Sequence, residues 1–310
     1  MRNHGGPAVA LVGTTASGKS ALAHQLCLEQ GDVSILCVDA MTVYRGMDLG
    51  TAKPSLAQRD QVSYHLVDLI EPSEEFTLYD YQQAARDALD EIWQLGGAAL
   101  YVGGTGLYGR AVLDDFEIPR QYPEVRAALE ERCADLAGLY EELARLDPLA
   151  ASRTEPTNER RIVRALEVTL GSGRPFSSYG PGLRTYGPVR VIQVGLRVDF
   201  AVLDDRIERR FREWMDQGLL DEVRAVAQRR GGLSRTARQA VGYRELLRHL
   251  EQGEDLEECV RDAITQSKRL ARRQRSWFAR DPRIEWFDDV PLAAKRLVEV
   301  LNSPDGFVRD

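Results

Sequence analysis

The sequence predicts an α/β protein: a parallel sheet covered by helices on both faces, with an inserted all-helical domain and a helical C-terminal part. Three observations predict it. Short apolar runs at residues 8–12, 34–38, 98–102 and 189–196 alternate with helical stretches, the pattern of a parallel sheet with crossover helices. Residues 123–171 hold consecutive helical patterns and no strand. After residue 196 the chain is again mainly helical.

The first run carries the first chemistry. It leads into "GTTASGKS", residues 13–20, which matches the phosphate-loop pattern G-x-x-x-x-G-K-[ST] at every fixed position. Backbone N–H groups of such a loop wrap a di- or triphosphate, the lysine neutralises it, and the hydroxyl reaches Mg²⁺. The following helix offers an N-terminus that favours anions. The core is therefore of the P-loop NTPase-like type. The motif alone leaves open whether the phosphate is transferred or only held.

The second run ends at Asp39, where a parallel sheet sets its functional groups. A lone aspartate there reads equally as a loop or helix cap and as a general base or indirect Mg²⁺ ligand. "AMTVYRGMDLGTAKP" follows it as a loop with Gly46 and Gly50. "YHLVDLI", residues 64–70, is a further short extended piece ended by Pro72. Residues 76–93 have helical spacing through Tyr79, Ala84, Ala88 and Ile92, and Gly96-Gly97 stops them. The third run enters "VGGTGLY", where Gly103, Gly104 and Gly106 admit a close ligand and Thr105 exposes a hydroxyl; a plain tight turn explains the same residues.

The inserted domain is expected at residues 116–185, dividing a core of residues 1–115 and 186–310. Its helices read "PEVRAALEERCADL", "GLYEELARL" and "NERRIVRALEVTL", punctuated by Pro119, Pro123, Pro148 and Pro156. In the last, Arg160, Arg161 and Arg164 lie opposite the apolar stripe Ile162, Ala165/Leu166, Thr169, either as a solvated face or as phosphate binders. Residues 171–188 read as a long loop. Helices follow at 203–217, 221–230, 236–252 and 255–279, the last with one buried stripe through Cys259/Val260, Ala263/Ile264 and Trp277/Phe278.

Charge sharpens this picture. The chain carries −7 overall, yet residues 266–283 hold seven basic side chains and one acid, a local +6 that leaves −13 elsewhere. An acidic body with one basic helix points to a localised polyanion contact, an RNA or DNA backbone. Composition is 43% hydrophobic and 29% charged, with no apolar run long enough to span a membrane. Cys27, Cys37, Cys133 and Cys259 are scattered without a C-x-x-C pair, as reduced thiols of a cytoplasmic protein rather than a zinc or disulfide framework. On these grounds alone the chain is a phosphate-binding α/β enzyme with a nucleic-acid partner. An ATP-dependent small-molecule kinase and a nucleotide-dependent RNA-binding module without catalysis remain as alternatives.

The motifs in their order resemble the tRNA dimethylallyltransferases (tRNA isopentenyltransferases) of bacterial type. The resemblance runs over nearly the whole chain and rests on "GTTASGKS", "VDAMTVYRGMDLGTAKP", "VGGTGLY", "PEVR", "RRIVRALEV", "AVGYREL" and "SKRLARRQRSWF". It implies transfer of a dimethylallyl group from dimethylallyl diphosphate to the N6-amino group of an adenosine beside the tRNA anticodon. The loop then grips a leaving group. Gly13, Thr14, Thr15, Ala16, Ser17, Gly18, Lys19 and Ser20 would bind the diphosphate, with Mg²⁺ on the Ser20 hydroxyl. Asp39 would be the general base, and Thr105 would hydrogen-bond the bridging oxygen. The anticodon stem-loop would be met by Asp39, Ala40, Met41, Thr42 and Thr105, by Arg126, Arg160, Arg161 and Arg164, and by Gln239, Gly242, Tyr243 and Arg244. On the basic helix it would meet Arg272, Arg273, Gln274, Arg275, Trp277 and Arg280. A monomer without membrane or obligate protein partner is implied. Thr14 stands where the family usually has proline, Ala40 where serine is common, and Asn158 where aspartate is common.

Overall fold

The computed structural model describes residues 6–303 except 181, 184, 189 and 190. In chain order it runs β1 (Ala8–Gly13), α1 (Lys19–Gln30), β2 (Val33–Val38), α2 (Leu56–Gln61), β3 (Tyr64–His65), α3 (Leu78–Gln94), β4 (Ala98–Gly103) and α4 (Gly106–Leu113). Then come α5 (Pro123–Glu130), α6 (Leu136–Leu146), α7 (Pro148–Ser152) and α8 (Glu159–Ser172). The chain continues through β5 (Ile192–Leu196), α9 (Phe200–Asp216), α10 (Leu219–Ala227), α11 (Tyr243–Gln252), α12 (Leu256–Phe278), β6 (Ile284–Phe287) and α13 (Val290–Leu301).

The six strands form one sheet in the order β3-β2-β4-β1-β5-β6, with every pair parallel. β1 and β4 are buried along their whole length, as interior strands covered on both faces must be. Alternate residues of β1 serve opposite cores. Ala8, Ala10 and Val12 face the helical mass that includes α3 and α9 to α12, while Val9 and Leu11 face α1 and α13. Register aligns Val12 with Gly103 and Gly103 with Val38, so the chain leaves β1, β2 and β4 at one level.

The structure departs from the expected elements at points with local causes. The strand expected at 189–196 begins at Ile192, and residues 189 and 190 lie outside the described residues. Of 64–70, only Tyr64–His65 joins the sheet, while Ile70 bridges to Tyr44. The helix expected at 236–252 is broken: a short 3-10 turn ends at Gln239, and Gly242 at φ +95° starts α11. β6 and α13 were not foreseen. β6 has four residues at the sheet edge, and its Glu285 pairs with Arg296 of α13 at 2.7 Å.

The chain divides into two compact units, Asp114–Gly187 and the remainder. The smaller unit packs α5 to α8 around Leu129, Leu139, Leu143, Ile162, Val163 and Leu166. Pro123 and Pro148 start α5 and α7, where a missing N–H costs nothing. The stretch expected as one helix from 123 to 136 ends at Glu130 and restarts at Leu136, and Asp135 caps the new helix through the Gly138 N–H at 3.0 Å. Asn158 caps α8 by accepting from the Arg161 N–H at 3.2 Å, the job an aspartate would do. Glu167, fully buried on α8, accepts from the Tyr122 N–H at 2.8 Å, Arg164 at 2.7 Å and Arg126 at 3.4 Å.

Removing that carboxylate strands two half-buried guanidinium groups and a backbone N–H. Glu167→Ala is expected to lower the free energy of unfolding by about 3 kcal/mol, and Glu167→Gln by less, as read from urea titration.

Candidate active site

The phosphate loop leaves β1 at Gly13 and closes at once. A Cβ on Gly13 would lie 2.9 Å from the Ser17 hydroxyl and 3.2 Å from the Leu196 carbonyl, so a side chain there would crowd the turn. Ala16 and Gly18 take left-handed φ of +62° and +96°. Such alternation turns successive N–H groups toward one point, a nest for an anion. The Thr14 and Ser17 hydroxyls are buried and have no hydrogen-bond partner among the described residues. Ser20 lies exposed in the first turn of α1.

Three cations serve this loop. Lys19 Nζ donates to the Thr14 carbonyl at 3.1 Å. Burial lowers its ammonium to about 8, Asp39 opposing that shift and Arg210 adding to it. Arg210 of α9 donates to the Thr15 hydroxyl at 2.7 Å, stacks 4.6 Å over the Trp214 ring, and is lowered to about 10 by burial. One turn earlier, Arg206 donates to the Ala16 carbonyl at 3.3 Å. Sequence reading missed both arginines. "RIERRFREW" reads as an ordinary amphipathic helix, and the signal available was a pair of arginines four apart beside a tryptophan.

Asp39 faces the loop from the end of β2. Its Oδ1 accepts from the Met41 N–H at 2.8 Å, and its Oδ2 accepts from the Thr105 hydroxyl at 3.3 Å. Burial raises its carboxyl, and the Met41 N–H, Lys19 and Thr105 pull the other way. An apolar pocket lined by Val12, Val38, Tyr101, Gly109 and Phe278 adjoins Thr105. At the opposite end of the sheet, a cleft beside His65 and Glu91 is lined by neither the phosphate loop nor Asp39.

The loop after Asp39 is pinned from below. Lys53 is buried and donates to the Tyr44 carbonyl, to Asp48 at 2.9 Å and to Asp68 at 2.6 Å. Glu222 of α10 accepts from the N–H groups of Asp48, Leu49 and Gly50 at 3.1, 2.8 and 3.2 Å, and from the Tyr243 hydroxyl. This corrects part of the expected RNA surface. Tyr243 and Gly242 are buried, Tyr243 holding the loop through Glu222 and Gly242 starting α11 beside Phe211. Thr42 is buried too, its hydroxyl donating to the Leu66 carbonyl at 3.3 Å. Ala40 and Met41 are half-buried beside Asp39, and Gln239 is exposed.

The expected arginines divide in the same way. Arg126 and Arg164 are committed to Glu167, and Arg164 also donates to the Pro119 carbonyl at 2.8 Å. Arg160 and Arg161 are exposed. On α12, Arg272 pairs with Asp204 at 2.8 Å, and Arg275 donates to the Val198 carbonyl at 2.5 Å over the Phe200 ring. Arg244 pairs with Glu245 at 2.5 Å. Arg273 and Arg280 are exposed. Trp277 packs on the turn after β4, where a Cβ on Gly106 would collide with its indole. Gln274 accepts the Thr15 N–H at 2.8 Å.

The arrangement can grip a diphosphate between two half-buried cations and accept a proton next to it. Among the described residues no group of three metal-ligating side chains occurs, no disulfide forms, and no helix is long and apolar enough to cross a membrane. Because Lys19 is charged below about pH 8 and neutral above it, affinity for inorganic diphosphate should fall as pH rises through 8. Calorimetry should record a steeper fall in the wild type than in Lys19→Arg, in which only the diphosphate and the other groups of the site titrate.

Comparison with known proteins adds the following. A family model described as IPP transferase matches residues 42–281. The chain is 41% identical to the tRNA dimethylallyltransferase of Bifidobacterium animalis subsp. lactis, covering 98% of this chain and 89% of that protein. It is 45% identical to the tRNA dimethylallyltransferase of Acidothermus cellulolyticus, covering 94% and 93%. The crystal structure of a tRNA isopentenylpyrophosphate transferase from Bacillus halodurans is similar with a TM-score of 0.67 at 34% identity, covering 96% of this chain and 94% of that one. A eukaryotic dimethylallyltransferase acting on tRNA shares the fold, with a TM-score of 0.77 at 22% identity and coverage of 96% and 79%.

Proposed function

The chain belongs to the IPP transferase family, and we propose that it transfers a dimethylallyl group from dimethylallyl diphosphate to the N6-amino group of the adenosine beside the tRNA anticodon. The enzyme is a prenyltransferase that modifies tRNA. One observation carries the assignment of roles: Asp39, hydrogen-bonded to Thr105, meets a phosphate loop lined by Lys19 and Arg210 at the same end of the sheet.

The diphosphate of the donor lies in the nest of residues 13–20, its charge met by Lys19 and Arg210. An exocyclic aromatic amine is a weak nucleophile, so the reaction relies on a labile electrophile and a base at the amine proton. The N6 nitrogen attacks C1, the C1–O bond breaks, and its electron pair leaves with the diphosphate. Asp39 takes the proton. Its burial supports this role, because burial favours the protonated carboxyl that the step produces. The Thr105 hydroxyl, already 3.3 Å from Asp39, turns to donate to the bridging oxygen.

The Ser20 hydroxyl in the first turn of α1 fits a Mg²⁺ ion, which keeps most of its shell as water and phosphate oxygens and needs few protein ligands. When bound, Mg²⁺ supplies counter-charge to the departing diphosphate. The exposed Arg160 and Arg161 on α8, with Arg273 on α12 and Arg280 in the turn after it, are the guanidinium groups we assign to the RNA backbone. The target base must leave its stack to reach Asp39, which suits a loop rather than a duplex.

The test is mass spectrometry of nucleosides from unmodified tRNA incubated with enzyme, Mg²⁺ and dimethylallyl diphosphate, with and without ATP. Adenosine heavier by one isopentenyl unit, formed without ATP, is the expected product. ATP consumption with no modified adenosine would sink the proposal in favour of a kinase. Asp39→Ala is expected to cut turnover by about 10²- to 10⁴-fold while diphosphate still binds.

A further inference from the structure

The bond between Gln274 and the phosphate loop joins residues 259 apart, and it uses a donor that an anion would want. Gln274 Oε1 accepts the Thr15 N–H, one of the N–H groups of the nest. The same amide packs over the turn after β4, for a Cβ on Gly104 would lie 2.6 Å from Gln274 Nε2 and 3.2 Å from the Gly13 carbonyl. Gln274 is therefore wedged between the phosphate loop and the Thr105 turn.

Its helix and the turn after it also carry exposed cations. Arg273 near the end of α12 and Arg280 in the turn that follows it are both exposed, and among the described residues neither side chain has a hydrogen bond or ion pair. Gln274 and Trp277, three apart, form the neighbouring stripe that meets Gly104 and Gly106. Gln274, next to Arg273 in the chain and bonded to the phosphate loop, lies between that exposed cation and the loop.

We propose that Gln274 is a positioning residue that couples RNA binding to diphosphate binding, by competing with diphosphate for the Thr15 N–H. This rests on the reading of the site as a tRNA prenyltransferase. RNA crossing α12 engages the Gln274 amide and draws it from Thr15, which frees the donor for the diphosphate. By linkage, diphosphate in the loop releases Gln274 toward the RNA, and each ligand tightens the other.

The experiment is calorimetric titration of inorganic diphosphate with Mg²⁺ into wild-type enzyme and Gln274→Met, each alone and saturated with an unmodified anticodon stem-loop RNA. Methionine keeps the shape and removes the acceptor. Without RNA, Gln274→Met should bind diphosphate roughly 2- to 10-fold more tightly than the wild type, the worth of one hydrogen bond. RNA should tighten diphosphate binding in the wild type and add little in the variant. Gln274→Glu keeps the acceptor and adds a negative charge, so it should weaken diphosphate binding. A Gln274→Met protein that binds diphosphate no better than wild type overturns the proposal, and so does a wild type indifferent to RNA. Prenyl transfer by the same preparations separates the two readings. A wild type that modifies RNA while the variant gains no affinity refutes the coupling alone, and one that shows the coupling without transfer refutes the reaction alone.

Discussion

The close approach of β4 to β2 at Gly103 is the constraint on which the site depends. A Cβ there would sit 2.1 Å from the Val38 carbonyl, so any other residue would force the two strands apart. Because Gly103 fits, its neighbours Val12 and Val38 lie level with it across three strands. The next residues of each strand then open onto the same small volume: the phosphate loop, Asp39 and the Thr105 turn. A parallel sheet brings its strand ends together by construction. The glycine decides how near they come, and the Thr105 to Asp39 distance of 3.3 Å is the result.

Around that point the molecule buries charge and compensates it. Lys19, Arg210 and Asp39 each lose solvation, and each is moved toward its neutral form by that loss. An anion entering between the two cations would restore what burial took from them. Two carboxylates away from the reacting groups act as staples instead. Glu222 gathers three consecutive backbone N–H groups and a tyrosine hydroxyl beneath the Asp39 loop, and Glu167 gathers two arginines and a backbone N–H within the smaller unit. In each case several donors converge on one carboxylate, which makes its burial tolerable.

Much of this was legible in the sequence, and the gaps have physical reasons. The phosphate loop, the interior strands and the helical middle were readable because each is specified by residues close together in the chain. Arg206 and Arg210 were not, since their partners lie about 190 positions away. β6 escaped because four residues, Ile284–Phe287, are too short a run to stand out as a strand right after a long helix. Tyr243, Thr42 and Arg164 were expected at an RNA surface because motifs mix residues that face a ligand with residues that hold the facing loop. Sequence alone does not separate the two. Glu167 offered the clearest overlooked hint: a carboxylate between Leu166 and Val168, inside an otherwise apolar stretch of helix.

The position of β1 in the sheet also has a consequence in time. In the finished protein β1 is interior, paired with β4 on one side and β5 on the other. On a chain made from its N-terminus at roughly 5–20 residues per second, β5 emerges about 10–40 seconds after β1. Until then the apolar strand "AVALVG" has an open edge, the kind of surface that pairs with other chains. The smaller unit is encoded between β4 and β5 and lengthens that interval, while its own short-range helical contacts form without waiting for the sheet. The smaller unit can thus be complete while the larger one still waits for β5, and for that period the edge of β1 is open to a wrong partner.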